Sequence, residues 1–474
     1  MAGVAEPTFD LPDVNRLEER ASVLLAALSK LGGVRVAEVF VQSQRTFEVD
    51  VEGGNVTRFT SSNGEGFGAR AFDARGGLGF ASSNRLAGKP AEAALRTAAR
   101  LARATTGDAD FSDLPHPAPV PAVEGLVDPR LGSLRVEDLA GAARDLVDGA
   151  RGATAGNANG ETVVSTSGYS FCQVGAFVVV NSNGVLATSE WTYFSASAEV
   201  VASGRGDQTT GWWHASSVTF DGLDPISVGE RAAGEALSKL GRRKLPRDDV
   251  PLIATPRFLA SVLLDALLSG VDAELVQRNR SFLCGAKPGE KLAAESFSLH
   301  SDATIPGRPS SASCDGEGVP CGRVPVVEGG RLASFLHDSY TAAKWGVQPT
   351  GNAFRGSFSS LPSIGPANAV VAPGEWDFEE IVAETRAGLL VDSTGDDANV
   401  VTGEFSGTLT SAFWVEQGEV AFPVKDAALS FDVKDALAGI DAVGRQREWV
   451  GSAFVPRVRF FPRPHLAAKG GGGG

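Results

Sequence analysis

Apolar residues recur at helical spacing from Asp13 to Leu31, where Val14, Leu17, Ala21, Leu24, Leu25, Leu28 and Leu31 share a face and Gly32-Gly33 ends the run. The period then changes. VRVAEVFVQ, TFEVDVE, NVTRFT, GFGARAFD and GLGFAS alternate apolar and polar positions between Gly- and Asn-rich turns. That alternation predicts an antiparallel meander of about five strands. Leu95, Ala98, Ala99 and Ala102, behind Pro90, predict a second helix over Ala91 to Thr105, and the two helices cover one face of the meander.

PHPAPVP at 115–121 is a stiff, extended linker. Beyond it the pattern predicts a helix at Val136 to Gly149, a strand-rich stretch at Thr162 to Val201 and a helix at Pro225 to Leu240. Ser182-Asn183-Gly184 marks a hairpin in the strand-rich stretch, because Asn-Gly tolerates the positive φ of such a turn. Arg242-Arg243-Lys244 reads as the end of a helix, within a polar connector that closes at Asp249. A strand, VPLIA, follows. Thr255 then caps a helix with Pro256 at its first position, running to about Gly270. The rest is strand and turn, apart from a helix at Asp377 to Ala387 opened by a capping box of Asp377 and Glu380. Val51-Glu-Gly-Gly-Asn-Val, Val327-Glu-Gly-Gly-Arg-Leu and Val415-Glu-Gln-Gly-Glu-Val read as three independent hairpins using the same turn chemistry. The fold class is therefore α+β, an N-terminal antiparallel meander packed by helices and then a β-rich C-terminal domain. The expected boundaries are 1–114, 122–245 and 246–465, with a flexible Gly tail at 466–474.

Length supports that division, since 474 residues exceed one core at roughly 150 residues per domain. Lys plus Arg is 43 against 57 for Asp plus Glu, a net charge of −14 that disfavours nucleic acid as a partner. The longest apolar stretch, Phe258 to Val271, is broken by Asp265 and is shorter than the ~20 residues that span a bilayer. The first residues resemble no secretory leader, so no membrane association is expected. Cys172, Cys284, Cys314 and Cys321 form no C-x-x-C pair, which favours a reduced, cytoplasmic setting.

Catalytic motifs are scarce. His116, His214, His300, His337 and His465 stand too far apart for H-E-x-x-H, and none precedes a glutamate. Cys314 and Cys321 with His300 or His337 is the best zinc set that can be assembled, and it matches no known spacing. No G-x-S-x-G elbow occurs; in Gly403-Glu-Phe-Ser406-Gly407 the first glycine is one residue too far away. Gly66-Phe-Gly68-Ala-Arg-Ala71 fits a loose dinucleotide pattern but lies in a strand, where the glycines mark close packing or a bulge. Asp315 and Glu317, or Asp396 and Asp397, could do acid–base work, although carboxylates in Gly-rich loops are more often turn-formers or solvated charge.

Several runs in order resemble the TldD/TldE family, also called modulator of DNA gyrase, whose TldE members are also called PmbA. They are Glu52-Gly-Gly-Asn-Val, Gly66-Phe-Gly-Ala-Arg-Ala-Phe72, Asp315-Gly-Glu-Gly-Val-Pro, Ser339-Tyr-Thr-Ala-Ala-Lys344-Trp-Gly346 and Thr350-Gly-Asn352. Val401-Thr-Gly-Glu-Phe-Ser406, Gly418-Glu-Val-Ala-Phe-Pro-Val424 and Ile440-Asp-Ala-Val-Gly444 follow. The resemblance implies a C-terminal domain of the TldD/PmbA type. It also implies a zinc peptidase in the TldD branch, with an H-E-x-x-x-H helix and a C-terminal cysteine ligand. Here Leu264, Asp265 and Ser269 occupy the neighbourhood of that motif, and Val450-Gly-Ser-Ala453-Phe454 falls where the cysteine would sit.

By resemblance, then, this is a TldE/PmbA-like subunit without metal or catalytic residues of its own. It would pair with a zinc-bearing, TldD-like catalytic subunit and help form a chamber for unfolded or modified peptides. Asp315, Glu317 and Asn352 are the candidate chamber residues. The competing expectations are a metal-independent hydrolase using Asp315, Glu317 or Asp396, and a client-binding regulator of the DNA gyrase type.

Overall fold

A computed structural model describes residues 11–153, 160–461 and 465–468. Of the tail expected at 466–474, residues 466–468 belong instead to a strand, His465–Ala468, paired with Ala427–Asp432, and the Gly run at 470–474 lies outside the described residues. Helix α1 (Val14–Ser29) starts where the Asp13 side chain accepts from the Arg16 N–H and buries Leu17, Ala21, Leu24 and Leu28. Strands β1 (Val36–Glu52), β2 (Asn55–Phe72) and β3 (Leu78–Ser83) follow, and then helix α2 (Gly88–Ala104). Past the proline linker come α3 (Val136–Gly152), β4 (Thr162–Asn181), β5 (Leu186–Gly204), β6 (Asp207–Ser217) and α4 (Pro225–Ser238).

The five expected runs of the meander are three strands. SSNGEG does not turn the chain, because Ser61 pairs with Phe47 and Gly64 with Gln44 in unbroken register. An exposed strand can be polar on both faces as long as its backbone is paired. The turn does fall at Gly53-Gly54, both at positive φ, as are Gly329-Gly330 and Gln417-Gly418 in the two sister hairpins. In the Ser182-Asn183-Gly184 turn, Asn181 Oδ1 accepts from the Asn183 and Val185 N–H groups and Gly184 sits at φ +95°.

The N-terminal and central segments share one antiparallel sheet, in the order β3-β2-β1-β4-β5-β6. Strand alternation gives that sheet two distinct faces. Ala37, Val39 and Val41 of β1 pack under α1 and α2, while Phe47, Val49 and Val51 pack under α3 and α4. The intervening positions Glu38, Phe40, Gln42 and Gln44 point the other way, towards the C-terminal domain.

That domain is built on a 13-stranded mixed sheet. Its centre places Ala453–Phe460 beside Leu252–Ala254, followed by Ala387–Thr394 and Glu404–Glu416. Arg243–Lys244, expected to end a helix, forms instead a short edge strand parallel to Glu419–Lys425, because α4 stops at Ser238 and Arg242 is tied to Asp207 at 2.8 Å. The helix expected at Asp377 to Ala387 covers only Phe378–Ala383. Its capping box is present, but Ala387 already begins a core strand. Among the described residues no helix is long and apolar enough to cross a membrane.

The two halves meet at the glycines of β2. A Cβ on Gly66 would lie 2.5 Å from the Phe358 ring, and one on Gly68 would lie 2.3 Å from the Phe358 carbonyl oxygen. The missing side chains let the 355–358 segment lie directly on the sheet. Gly68→Ala is therefore expected to lower the unfolding free energy by about 1–3 kcal/mol, as overpacking does. Urea unfolding measures this, and an unchanged midpoint would show that the seam is loose.

Candidate functional site

At that seam the register pairs Glu38 of β1 with Arg70 of β2. Arg70 Nε and Nη2 donate to Glu38 at 2.8 and 2.5 Å, and Nη2 also reaches Glu317 Oε1 at 2.8 Å. Arg355 closes the set from the other side by an ion pair to Glu38, its guanidinium lying over the Phe40 ring. Burial opposes the Arg70 charge, but the Glu38 and Glu317 carboxylates outweigh it and hold the guanidinium above its usual range. Arg355 is pulled down, mainly by burial. Burial also opposes the Glu317 charge, yet Arg70 and the Ser339 N–H at 2.8 Å keep that carboxyl below its ordinary value.

Asp315 and Glu317 are therefore not solvated loop charges; both are fully buried in this seam. Asp315 accepts from the Glu317, Val319 and Ala353 N–H groups at 2.9, 3.0 and 3.0 Å. Burial, and next the Glu317 charge, push its carboxyl up. Since Arg70 and Arg355 already balance Glu38 and Glu317, a further anion has no countercharge. Asn352 is also buried and donates to the Gly365 carbonyl at 2.9 Å, bracing the neighbouring loop. The structure thus gathers Asp315, Glu317 and Asn352 around one seam. Asp396 lies elsewhere, exposed, accepting from the Thr408 N–H.

A second set of residues meets where β6 faces the C-terminal sheet. The helix opened by Thr255 runs through Pro256–Phe258, a π-form turn at Leu259–Leu264 and an α-form end at Asp265–Gly270. A π turn holds one residue more than an α turn and re-aims the residues after it. Leu264, Asp265, Leu268 and Ser269 line a cavity of about 380 Å³, opposite Trp212 and His214 of β6 and the 450–453 turn. Burial, and secondarily the Asp397 charge, raise the Asp265 carboxyl, and burial lowers the His214 imidazole. The sequence offers His214 only as an isolated histidine and does not single out Trp212. An indole and an imidazole two apart in a strand share a face, and that spacing was the available signal.

Residues 37–105, 129–240 and 247–462 match, in order, domain 1, the central domain and the C-terminal domain of the PmbA/TldA metallopeptidases. The chain belongs to the PmbA/TldD metallopeptidase family. A metalloprotease of Methanothermobacter thermautotrophicus is 32% identical over 222 residues, 47% of this chain and 48% of that protein. The PmbA homolog of Haemophilus influenzae is 28% identical over 56% of this chain and 57% of its own length. The chain spans about half the length of the first curated relatives it matches. Among solved structures, a protein of Thermotoga maritima described as a candidate modulator of a DNA gyrase is 26% identical. It superposes with a TM-score of 0.82 over 95% of this chain and 100% of that one. TldE of Thermococcus kodakarensis shares the fold, with a TM-score of 0.79 at 23% identity over 94% of this chain and 100% of that one.

The family name raises the question of zinc, and the cavity is where it is answered. A peptidase zinc needs about three N, O or S ligands and an open position. Leu264 and Ala453 carry no donor, Ser269 offers a neutral hydroxyl, and the Asp265 carboxylate and His214 imidazole are two groups where three are needed. Among the described residues no group of three or more His, Cys, Asp or Glu side chains could hold a metal ion. The Cys314, Cys321, His300 and His337 set does not assemble either: Cys314 and Cys321 point at the carbonyls of Thr188 and Gly351, while His337 contacts Thr341. The residues present do not fit a zinc ion.

Proposed function

We propose that this chain is the non-catalytic, TldE/PmbA-like subunit of a heterodimeric zinc metallopeptidase, and that it completes the chamber in which a TldD-like partner cleaves peptides. One observation carries the reading. The residues that the resemblance puts in the neighbourhood of the metal ligands, Leu264, Asp265 and Ser269 with the Val450 to Ala453 stretch, converge on one cavity, and neither a histidine nor a cysteine stands among them. Fold and cleft persist where the coordinating groups do not. Without the ion there is no polarised water to act as nucleophile. Asp315 and Glu317 do not substitute for it, since both lie buried with their oxygens engaged by backbone N–H groups or Arg70.

The substrate proposed is an extended peptide, which strand-rich walls can read through its backbone. Co-expression with a TldD-type protein from the same source tests the proposal. The two chains should co-purify, zinc should follow the partner, and peptide cleavage should need the partner. One zinc per chain in the protein purified alone, or cleavage without the partner, would sink it.

A further inference from the structure

A second cavity, of about 300 Å³, adjoins the first and shares Trp212, His214, Ser261, Val450 and Gly451 with it. Its charged lining is Arg231, Arg257 and Arg308, with Trp212, Trp213 and Trp449 between them, and among the described residues no Asp or Glu lines it. In a chain of net charge −14 that concentration of guanidinium runs against the composition.

The arginines are not equivalent. Arg257 is compensated, by Glu235 at 2.9 Å and Asp392 at 3.6 Å. Arg231 lies over the Trp213 ring at 5.1 Å. Arg308 is stacked 3.6 Å above the Trp449 ring, and its Nε is buried without a hydrogen-bond acceptor. Burial pulls its guanidinium below the usual value, with no carboxylate opposing the shift. Buried donors are almost always paired, and an orphan on a cation is costly. The indole fixes the plane of the guanidinium fork, and that fork matches the two oxygens of a carboxylate.

We infer that this cavity is a carboxylate-binding subsite for peptide, in which Arg308 grips the carboxylate and the Trp212 and Trp449 indoles flank the residue that carries it. The inference rests on the chamber proposed above and names what the chamber holds. A carboxylate suits the site better than a dianion, because Glu235 and Asp392 stand just behind Arg257. A chain held there would leave past Ser261 towards Asp265 and Ser269, since the two cavities share that stretch of wall.

Calorimetry on the isolated chain tests this with three peptides: acetyl-Ala-Ala-Phe as the free acid, its C-terminal amide, and acetyl-Ala-Glu-Phe amide. The free acid should bind at least about tenfold more tightly than the neutral amide, the difference a charge-assisted pair makes. Tighter binding of the Glu-bearing amide instead would assign the subsite to acidic side chains and support the same chemistry. Arg308→Gln should weaken the preferred peptide about 10- to 100-fold and leave the neutral amide unchanged. Equal binding of acid and amides, no binding of any, or an indifferent Arg308→Gln would overturn the inference. The comparison in the unaltered protein holds even if the variant misfolds. Because neither partner nor zinc is present, failure to pair with a TldD-type chain would defeat the subunit proposal without touching this result.

Discussion

Replacing Arg70 with Met is expected to remove about 3–5 kcal/mol of stability, the usual cost of deleting one partner from a buried ion pair. The loss is not the worth of the hydrogen bonds alone. Glu38 and Glu317 would stay buried with only Arg355 between them. The pH dependence follows from the direction of the Glu317 shift. Its carboxyl is held below the ordinary value, so its contribution is complete above the unfolded pKa and fades as the pH falls through the folded one. In the variant the unpaired Glu317 carboxylate prefers a proton, so the folded chain takes one up above the ordinary carboxylate range and the deficit should shrink as the pH falls from 7.5 to 4. Urea unfolding at pH 7.5 and pH 4 measures both effects. Adding Glu317→Gln to Arg70→Met should recover part of the loss, because it removes the stranded charge. A deficit under about 1 kcal/mol at pH 7.5 would show that water reaches the seam.

The opposite manipulation is expected to create a metal centre. In the triple variant Leu264→His, Ser269→His and Ala453→Cys, two imidazoles and a thiolate would face the same cavity, the ligand number a tetrahedral zinc takes with one position open. The variant should purify with close to one zinc per chain by elemental analysis, whereas the unaltered protein should hold none. Zinc should also raise its stability, by about 4 kcal/mol when free metal exceeds the dissociation constant a thousandfold. Binding should strengthen from pH 5 to pH 8, because the ligands must lose their protons. A folded variant that takes up no more zinc than its parent would mean that these positions do not converge as ligands must.

The two regions differ in how far the sequence revealed them. Helices of the N-terminal half were legible because α1 and α2 bury a single stripe on one sheet face, and the apolar period records it directly. The double-glycine hairpins were legible because positive φ restricts residue choice. The length of β1 and β2 was not, since backbone pairing leaves no trace in a stretch that is polar on both sides. The same limit hid the seam. Glu38 and Arg70 are ordinary charges until the register sets them opposite one another, and Glu317 arrives from far along the chain. Asp315 looked like a turn-former, and it is one, with its oxygens bonded to nearby N–H groups. Its complete burial depends on a sheet the local sequence does not encode. Leu264, Asp265, Ser269 and Ala453 came from likeness alone, and only the fold shows that they share a hollow. Arg308 and Trp449 gave no signal, because a cation stacked on an indole is a long-range coincidence.

Strand β1 has one consequence for how the molecule can be divided. Its alternate residues belong to different neighbours, Val39 and Val41 to the helices, Glu38 and Phe40 to the distant half. A fragment severed after the central segment would keep its helical roof and lose its floor, laying bare Phe40, Arg70 and the Gly66-Gly68 notch. Cuts drawn between recognised modules would thus run through a shared wall, and the severed piece would be inclined to stick to its own copies.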